Sequence, residues 1–286
     1  MRIGPWDFHL PSLRGAERAA VEAGRKVENV AEAAVDGFKQ LERRIEADGV
    51  VNIVTGGHDA HFDGMLVGAD GQSHPPSTPL AHLAALEPVG GPRNAETIIE
   101  INGVGCNLAR QGGELRALAD ATGSRVIGLH NATTGYPLDA AQEVGDELRL
   151  GDHRAVDGLA MVVLRELDAG RSVHLVGHSQ GAVVTARALE AVKASPTARL
   201  GSAQAAENVL AKVTVETFGG AAWAYPDGPR YRHDVNLVDP VPQTFGQGLA
   251  RQLGLSRPGR GAELVTFTAP HPFHALSTYL QHRRPL

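Results

Sequence analysis

The chain carries a serine flanked at both second neighbours by glycine, Gly177-His178-Ser179-Gln180-Gly181, which fits the pattern G-x-S-x-G. That spacing suits a serine on a sharp turn, where the residues two positions to either side must be small. The apolar run from Val173 to Val176 upstream reads as a buried strand. Downstream, residues 180–193 have the periodicity and composition of a helix, whose N-terminus aims N–H groups at developing negative charge. A serine hydroxyl is a weak nucleophile and needs a base, and the base needs an orienting acid. The chemistry to expect is acyl transfer through Ser179.

The partners of Ser179 should sit just past the carboxyl ends of strands. A strand over 234–238 leads to Asp239-Pro240-Val241-Pro242, where the prolines stop regular continuation and hold Asp239 for an orienting role. A strand over 264–268 leads to Ala269-Pro270-His271-Pro272-Phe273-His274. Two histidines compete there. His274, at the start of the final helix, is preferred over His271, which is held between prolines. Asp227, in a Pro-Asp-Gly turn, and Asp234, ahead of its strand, are weaker acids. His178 is read as packing.

An oxyanion needs two N–H donors. Gln180 supplies one, and the loop Ile101-Asn102-Gly103-Val104-Gly105 the other, with Val104 first and Gly103 second. Thr133, Thr134 and Tyr136 could line the pocket, and Asn131 is either a turn residue or a contact. Trp223, Tyr225 and the segment 245–255 could border an acyl chain.

These groups need a scaffold. Strands over 96–102, 125–130, 173–176, 212–218, 234–238 and 264–268 alternate with helices over 108–121, 155–168, 180–193, 203–211 and 274–282. The fold class is therefore α/β, a mostly parallel central sheet covered on both faces, with an N-terminal helical extension. Within the extension, Val27, Val30, Ala34, Phe38, Leu41 and Ile45 recur at steps of three and four, giving a long helix over 12–48. It is either a peripheral helix or a docking segment for a partner. Short strands at 50–54 and 64–68 follow, a short helix at 81–86, and a Pro/Gly/Ser-rich stretch over 71–94 that marks a boundary. The domains expected are 1–94 and 95–286.

Composition narrows the classes. A net charge of −5 leaves no basic footprint for nucleic acid. The one cysteine, Cys106, excludes an intramolecular disulfide and a cysteine-rich metal cage. A lone thiol reads as a small buried apolar group rather than a nucleophile. His58, Asp59, His61 and Asp63 offer imidazole and carboxylate to a divalent metal, but the same residues suit a solvated turn. No cofactor and no metal are expected. No stretch approaches the ~20 apolar residues of a membrane span, and residues 1–12 lack a signal peptide's apolar run. Cytoplasmic synthesis is expected, with signal-independent secretion open.

The order Ser179, Asp239, His274 matches that of the α/β-hydrolases, and residues 172–280 resemble that superfamily, within it the class 3 lipases and related bacterial lipase-like proteins. Val176-Gly177-His178-Ser179-Gln180-Gly181-Ala182 is similar to their elbow. Val215-Glu216-Thr217-Phe218-Gly219-Gly220 is similar to a T-F-G-x-P strand, with Ala221 and Ala222 where proline is usual. Asn236-Leu237-Val238-Asp239-Pro240-Val241-Pro242 resembles the segment that carries the acid, and His274-Ala275-Leu276-Ser277-Thr278-Tyr279-Leu280 the one that carries the base. Where class 3 lipases have Arg-Gly-Ser/Thr, this chain has Ile-Asn-Gly-Val-Gly, which favours a backbone oxyanion hole. The resemblance implies a serine ester hydrolase acting on acyl esters, lipid among them, with transient contact to a membrane surface. Alternatives are a thioesterase or acyltransferase, and an inactive hydrolase-fold interaction module, including a bacterial effector.

Overall fold

Short β-branched runs, alternating between two apolar faces, build one sheet that positions everything else. The computed structural model describes residues 60–132, 154–195, 202–252, 254–270 and 272–284. The expected helix over 12–48, the strand at 50–54, and His58, Asp59, Thr133, Thr134, Tyr136 and His271 lie outside the described residues.

In chain order the elements are β1 (Leu66–Val67), β2 (Ser73–His74), β3 (Thr97–Ile101), α1 (Leu108–Thr122), β4 (Arg125–Leu129), α2 (Arg154–Asp168), β5 (Val173–His178) and α3 (Gly181–Ala194). Then come α4 (Ala203–Leu210), β6 (Val213–Phe218), β7 (Arg230–Asn236), α5 (Pro240–Thr244), α6 (Gln247–Gln252), β8 (Glu263–Phe267) and α7 (Leu276–His282). The described strands form one eight-stranded sheet in the order β2-β1-β4-β3-β5-β6-β7-β8. The six strands from β4 to β8 in that order run parallel, and β1 and β2 add an antiparallel edge.

The period of two along each strand divides the core. Ile99, Ile101, Leu175, Val213 and Val215 face α2 and α3, whose Leu159, Val163, Ala182 and Leu189 meet them. Ile98, Val126, Val176 and Phe218 face the other way, onto Leu115, Leu118 and Ala119 of α1 and Leu276 and Tyr279 of α7. Both ends of α1 follow from sequence: the Asn107 side chain accepts from Arg110 N, and Gly123 closes the helix in the left-handed region. Because β3 leads to α1 on one face and β5 to α3 on the other, the loops after β3 and β5 part above the sheet. That crevice is where an open parallel sheet binds ligands.

The expected alternation is observed, with shifts at particular ends. The strand expected at 234–238 runs from Arg230 to Asn236. Its charged first half reads as a loop, yet Arg232 pairs with Glu263 on β8 at 3.0 Å and His233 bonds Thr217 on β6 at 2.8 Å. Helices α5 and α6 were not expected. The helix expected at 81–86 is a 3-10 turn over Leu80–His82, after which Leu86 bridges to Val126. The final helix begins at Leu276, so His274 precedes it instead of opening it. The boundary expected at 94 does not coincide with an edge of the sheet, because β1 pairs with β4, and Leu66, Val67, Leu83 and Leu86 enter the core. Leu83 and Leu86 anchor this stretch to the core despite the loop-like composition of 71–94. Among the described residues no helix is long and apolar enough to cross a membrane.

Candidate active site

The elbow is set by backbone geometry. Among the described non-glycine residues only Ser179 has a positive φ, 54°. A left-handed non-glycine residue costs about 1–2 kcal/mol, and the turn that imposes it is held on both sides. Ser179 N donates to Phe218 O at 3.0 Å, and Ser179 O accepts from Ala221 N at 3.0 Å. A Cβ on Gly181 would lie 2.0 Å from Ile101 O, and one on Gly177 2.9 Å from Ala182 N. The two glycines thus let the turn sit against β3 and the helix start, as their spacing predicts.

Asp239, His274 and Ser179 form one hydrogen-bonded chain. His274 Nδ1 is 2.6 Å from Asp239 Oδ2, and His274 Nε2 is 2.9 Å from Ser179 Oγ. A carboxylate only accepts, so Nδ1 carries the proton, and Nε2 of the neutral ring accepts from the serine hydroxyl. Asp239 is fully buried. It caps α5, with Oδ1 accepting from Val241 N at 3.0 Å and Pro240 at the first helical position. The expected strand-end acid is therefore a helix cap three residues past its strand.

Two weaker candidates for the acid are placed elsewhere. Asp234 lies within β7, fully buried, with neither carboxylate oxygen hydrogen bonded. Burial first, and Glu216 second, push its pKa up to about 7. Asp227 is tied to Arg260 at 3.0 Å.

The residues expected to bind an oxyanion meet above β3 and β5. Gln180 caps α3, and its side-chain Oε1 accepts from Asn131 Nδ2 at 2.9 Å. Gly103 lies against Ser179: a Cβ there would sit 2.9 Å from Ser179 Cβ. Val104 is half-buried in the turn that follows. Asn102 Nδ2 donates to Gly103 O at 2.9 Å and to Asn131 O at 2.8 Å, while its Oδ1 accepts from Asn131 N at 2.8 Å. In a trans peptide the carbonyl and the next N–H point oppositely, so the bond to Gly103 O turns Val104 N–H away from Asn102. Asn131 is thus a loop residue that braces Asn102 and Gln180.

Several supports were not foreseen. The Tyr279 hydroxyl donates to Asp239 Oδ2 at 2.6 Å. Burial, then the negative charge of Asp239, raises the Tyr279 pKa, so the hydroxyl stays protonated. Asn236 Nδ2 donates to Ala269 O at 2.8 Å and Phe273 O at 2.9 Å, and its Oδ1 accepts from Ala269 N at 3.0 Å. One amide therefore staples both ends of the loop that carries His274. His178, read as packing, reaches the His274 carbonyl at 3.0 Å. The sequence held a clue to Tyr279 and Asn236, since both fall inside the segments that resemble hydrolases.

Apolar residues flank the chain of three. Val241 and Phe273 pack with Ala221, Val238 and Phe245. Of the residues expected to border an acyl chain, Phe245 is in this cluster and Trp223 is exposed. Tyr225 is instead core, its ring 4.6 Å from His233 and 5.3 Å from Tyr231.

Other chemistry-bearing groups lie outside the site. Cys106 is buried, and burial, followed by the charges of Glu114 and Glu100, raises its thiol pKa, which disfavours the thiolate. Asp63 Oδ1 accepts from Ala132 N at 3.0 Å, a loop-fixing role, and the His61 ring centroid lies 3.7 Å from that of Phe62, the rings tilted by 46°. Among the described residues no group of three or more His, Cys, Asp or Glu is arranged to hold a metal ion. A polar cavity of about 320 Å³ opens at the opposite, amino-terminal end of the strands, beside His174, Thr214 and Arg230.

No family model, curated protein or solved structure matches the chain.

Proposed function

We propose that the protein is a serine ester hydrolase of the α/β-hydrolase fold, acting on acyl esters. The observation that carries this reading is the connected chain from Asp239 through His274 to Ser179, with the serine strained onto a strand-to-helix turn. In the proposed mechanism His274 Nε2 takes the Ser179 proton as Oγ attacks the ester carbonyl. The tetrahedral oxyanion is held by Gln180 N–H and by Val104 N–H, with Gly103 allowing the close approach. Loss of one such donor costs about 10²–10³ in kcat. Collapse expels the alcohol, which receives the proton from His274, and leaves an acyl group on Ser179. Water attacks that ester with His274 again as base, collapse releases the carboxylic acid and returns the proton from His274 to Ser179 Oγ, and Asp239 stabilises the imidazolium in both halves.

An acyl chain is favoured because the apolar cluster of Ala221, Val238, Val241, Phe245 and Phe273 is built from neighbours of the reacting residues. Phe273 precedes the base, Val241 N bonds the acid, and Ala221 N bonds the nucleophile's carbonyl. Lipid esters are one such substrate class. The test is hydrolysis of p-nitrophenyl esters of increasing chain length by the wild type and Ser179→Ala. Turnover that rises with chain length and vanishes in the variant is expected. Equal turnover in both proteins would remove the reading. Preference for a thiol ester, or transfer to an added alcohol, would instead point to a thioesterase or acyltransferase.

A further inference from the structure

Three consecutive carbonyls of the loop that carries the base are each held by a side chain from a different element. Pro272 O accepts from Thr278 Oγ1 of α7 at 2.7 Å. Phe273 O accepts from Asn236 Nδ2 at the end of β7 at 2.9 Å. His274 O is 3.0 Å from His178 Nε2 at the end of β5. The third differs in kind, because His178 is the chain neighbour of Ser179. His274 is therefore attached at two points to two consecutive residues, its main chain to His178 and its ring to Ser179.

The chemistry of the His178 ring is fixed by these partners. A carbonyl only accepts, so Nε2 carries the proton and, in the neutral ring, Nδ1 is bare. Burial, and then the nearby His274 ring, lower the His178 pKa to about 4, which keeps the ring neutral at pH 7. The ring centroids are 5.1 Å apart, so a charged His178 would oppose the imidazolium that the mechanism forms. On its other side the ring abuts the oxyanion loop, where a Cβ on Gly103 would lie 3.5 Å from Nδ1.

We propose that His178 is a positioning residue: its neutral ring, between Gly103 and His274 O, locks the base to the nucleophile's own strand. The inference rests on the hydrolase reading of the site, and the effect of the lock is to hold His274 Nε2 within hydrogen-bond reach of Ser179 Oγ. A leucine at this position fills the space but cannot donate. An asparagine places its amide nitrogen near the position of Nδ1, short of the carbonyl. A glutamine extends its amide nitrogen to the position of Nε2.

The test compares His178→Leu, His178→Asn and His178→Gln in the full chain. The first readout needs no substrate: the downfield proton resonance of His274 Nδ1–H in its bond to Asp239. The second is kcat and KM for a p-nitrophenyl acyl ester. In the leucine and asparagine variants the resonance should broaden or vanish, and kcat should fall about a hundredfold with KM unchanged, as for a small misplacement of a reacting group. The glutamine variant should recover both. Wild-type resonance and kcat in the asparagine variant, or a glutamine variant as impaired as the asparagine one, would overturn the proposal, even if the leucine variant fails to fold. A wild type without turnover whose resonance still follows this order would sink the hydrolase reading and leave the positioning role standing.

Discussion

The Tyr279 hydroxyl and the His274 ring converge on a single atom, Asp239 Oδ2, each at 2.6 Å. Two donors on one carboxylate oxygen delocalise its charge and fix its direction. Tyr279→Phe removes one donor and leaves the ring packed against Phe218 and Phe267. A hydrogen bond to a charged group is worth about 1.5–3 kcal/mol. We expect kcat to fall about tenfold with KM unchanged, and thermal unfolding to occur at lower temperature. Unaltered kcat would show that Tyr279 supports only the core.

Gly103→Ala tests the close approach of the oxyanion loop. The new methyl would lie 2.9 Å from Ser179 Cβ, so either the loop or the nucleophile must shift. The expected loss is about 10² in kcat. Gly112→Ala is the control, because nothing lies within 4 Å of its Cβ and it sits inside α1. That substitution should stabilise by about 0.5–1 kcal/mol and leave kcat unchanged.

Asp234 and Asp239 should separate cleanly by mutation. Folded Asp234 keeps its proton up to about pH 7, whereas the unfolded chain releases it near 3.8. Between those values the unfolded state binds fewer protons, so this group lowers stability as pH rises and the full penalty is present above pH 7. Asp234→Asn should therefore raise the melting temperature at pH 8, with the gain vanishing towards pH 4, and leave turnover intact. Asp239→Asn should lower kcat by about 10⁴. Turnover that depends on Asp234 and not on Asp239 would reassign the acid.

His174 should contribute in the opposite charge state. Burial opposes its charge, but Glu216 at 2.9 Å and Glu96 at 3.1 Å outweigh that and raise its pKa to about 8. The raised value means stabilisation that is fully present below the unfolded value of 6.5 and lost as pH rises through about 8. His174→Gln should reduce the melting temperature at pH 6 far more than at pH 9. An equal loss at both would indicate packing alone.

What the sequence disclosed divides along physical lines. The elbow was legible because its demands are local: small residues at 177 and 181, an apolar strand before and a helix after. Asp239 and His274 were legible from prolines and strand ends, although Asp239 proved to be a helix cap and His274 to precede its helix. The first half of β7 was not legible, since Arg232 and His233 look like loop residues until Glu263 and Thr217 are beside them. The same holds for the grips of His178, Asn236 and Tyr279 on residues 33 to 96 positions away. No periodicity records such contacts. The strand expected at 64–68 is present as β1, but the entry of Leu83 and Leu86 into the core was not legible, because single apolar anchors spaced among Pro and Gly carry no periodicity.

Every step of the proposed reaction depends on activation of the Ser179 hydroxyl by His274. Labelling of the intact protein with a fluorophosphonate probe, followed by peptide mass spectrometry, tests it most directly. One adduct is expected, on Ser179, absent in Ser179→Ala and slowed at least a hundredfold in His274→Ala. No adduct in the wild type, or labelling at Ser179 that proceeds equally fast without His274, would contradict it.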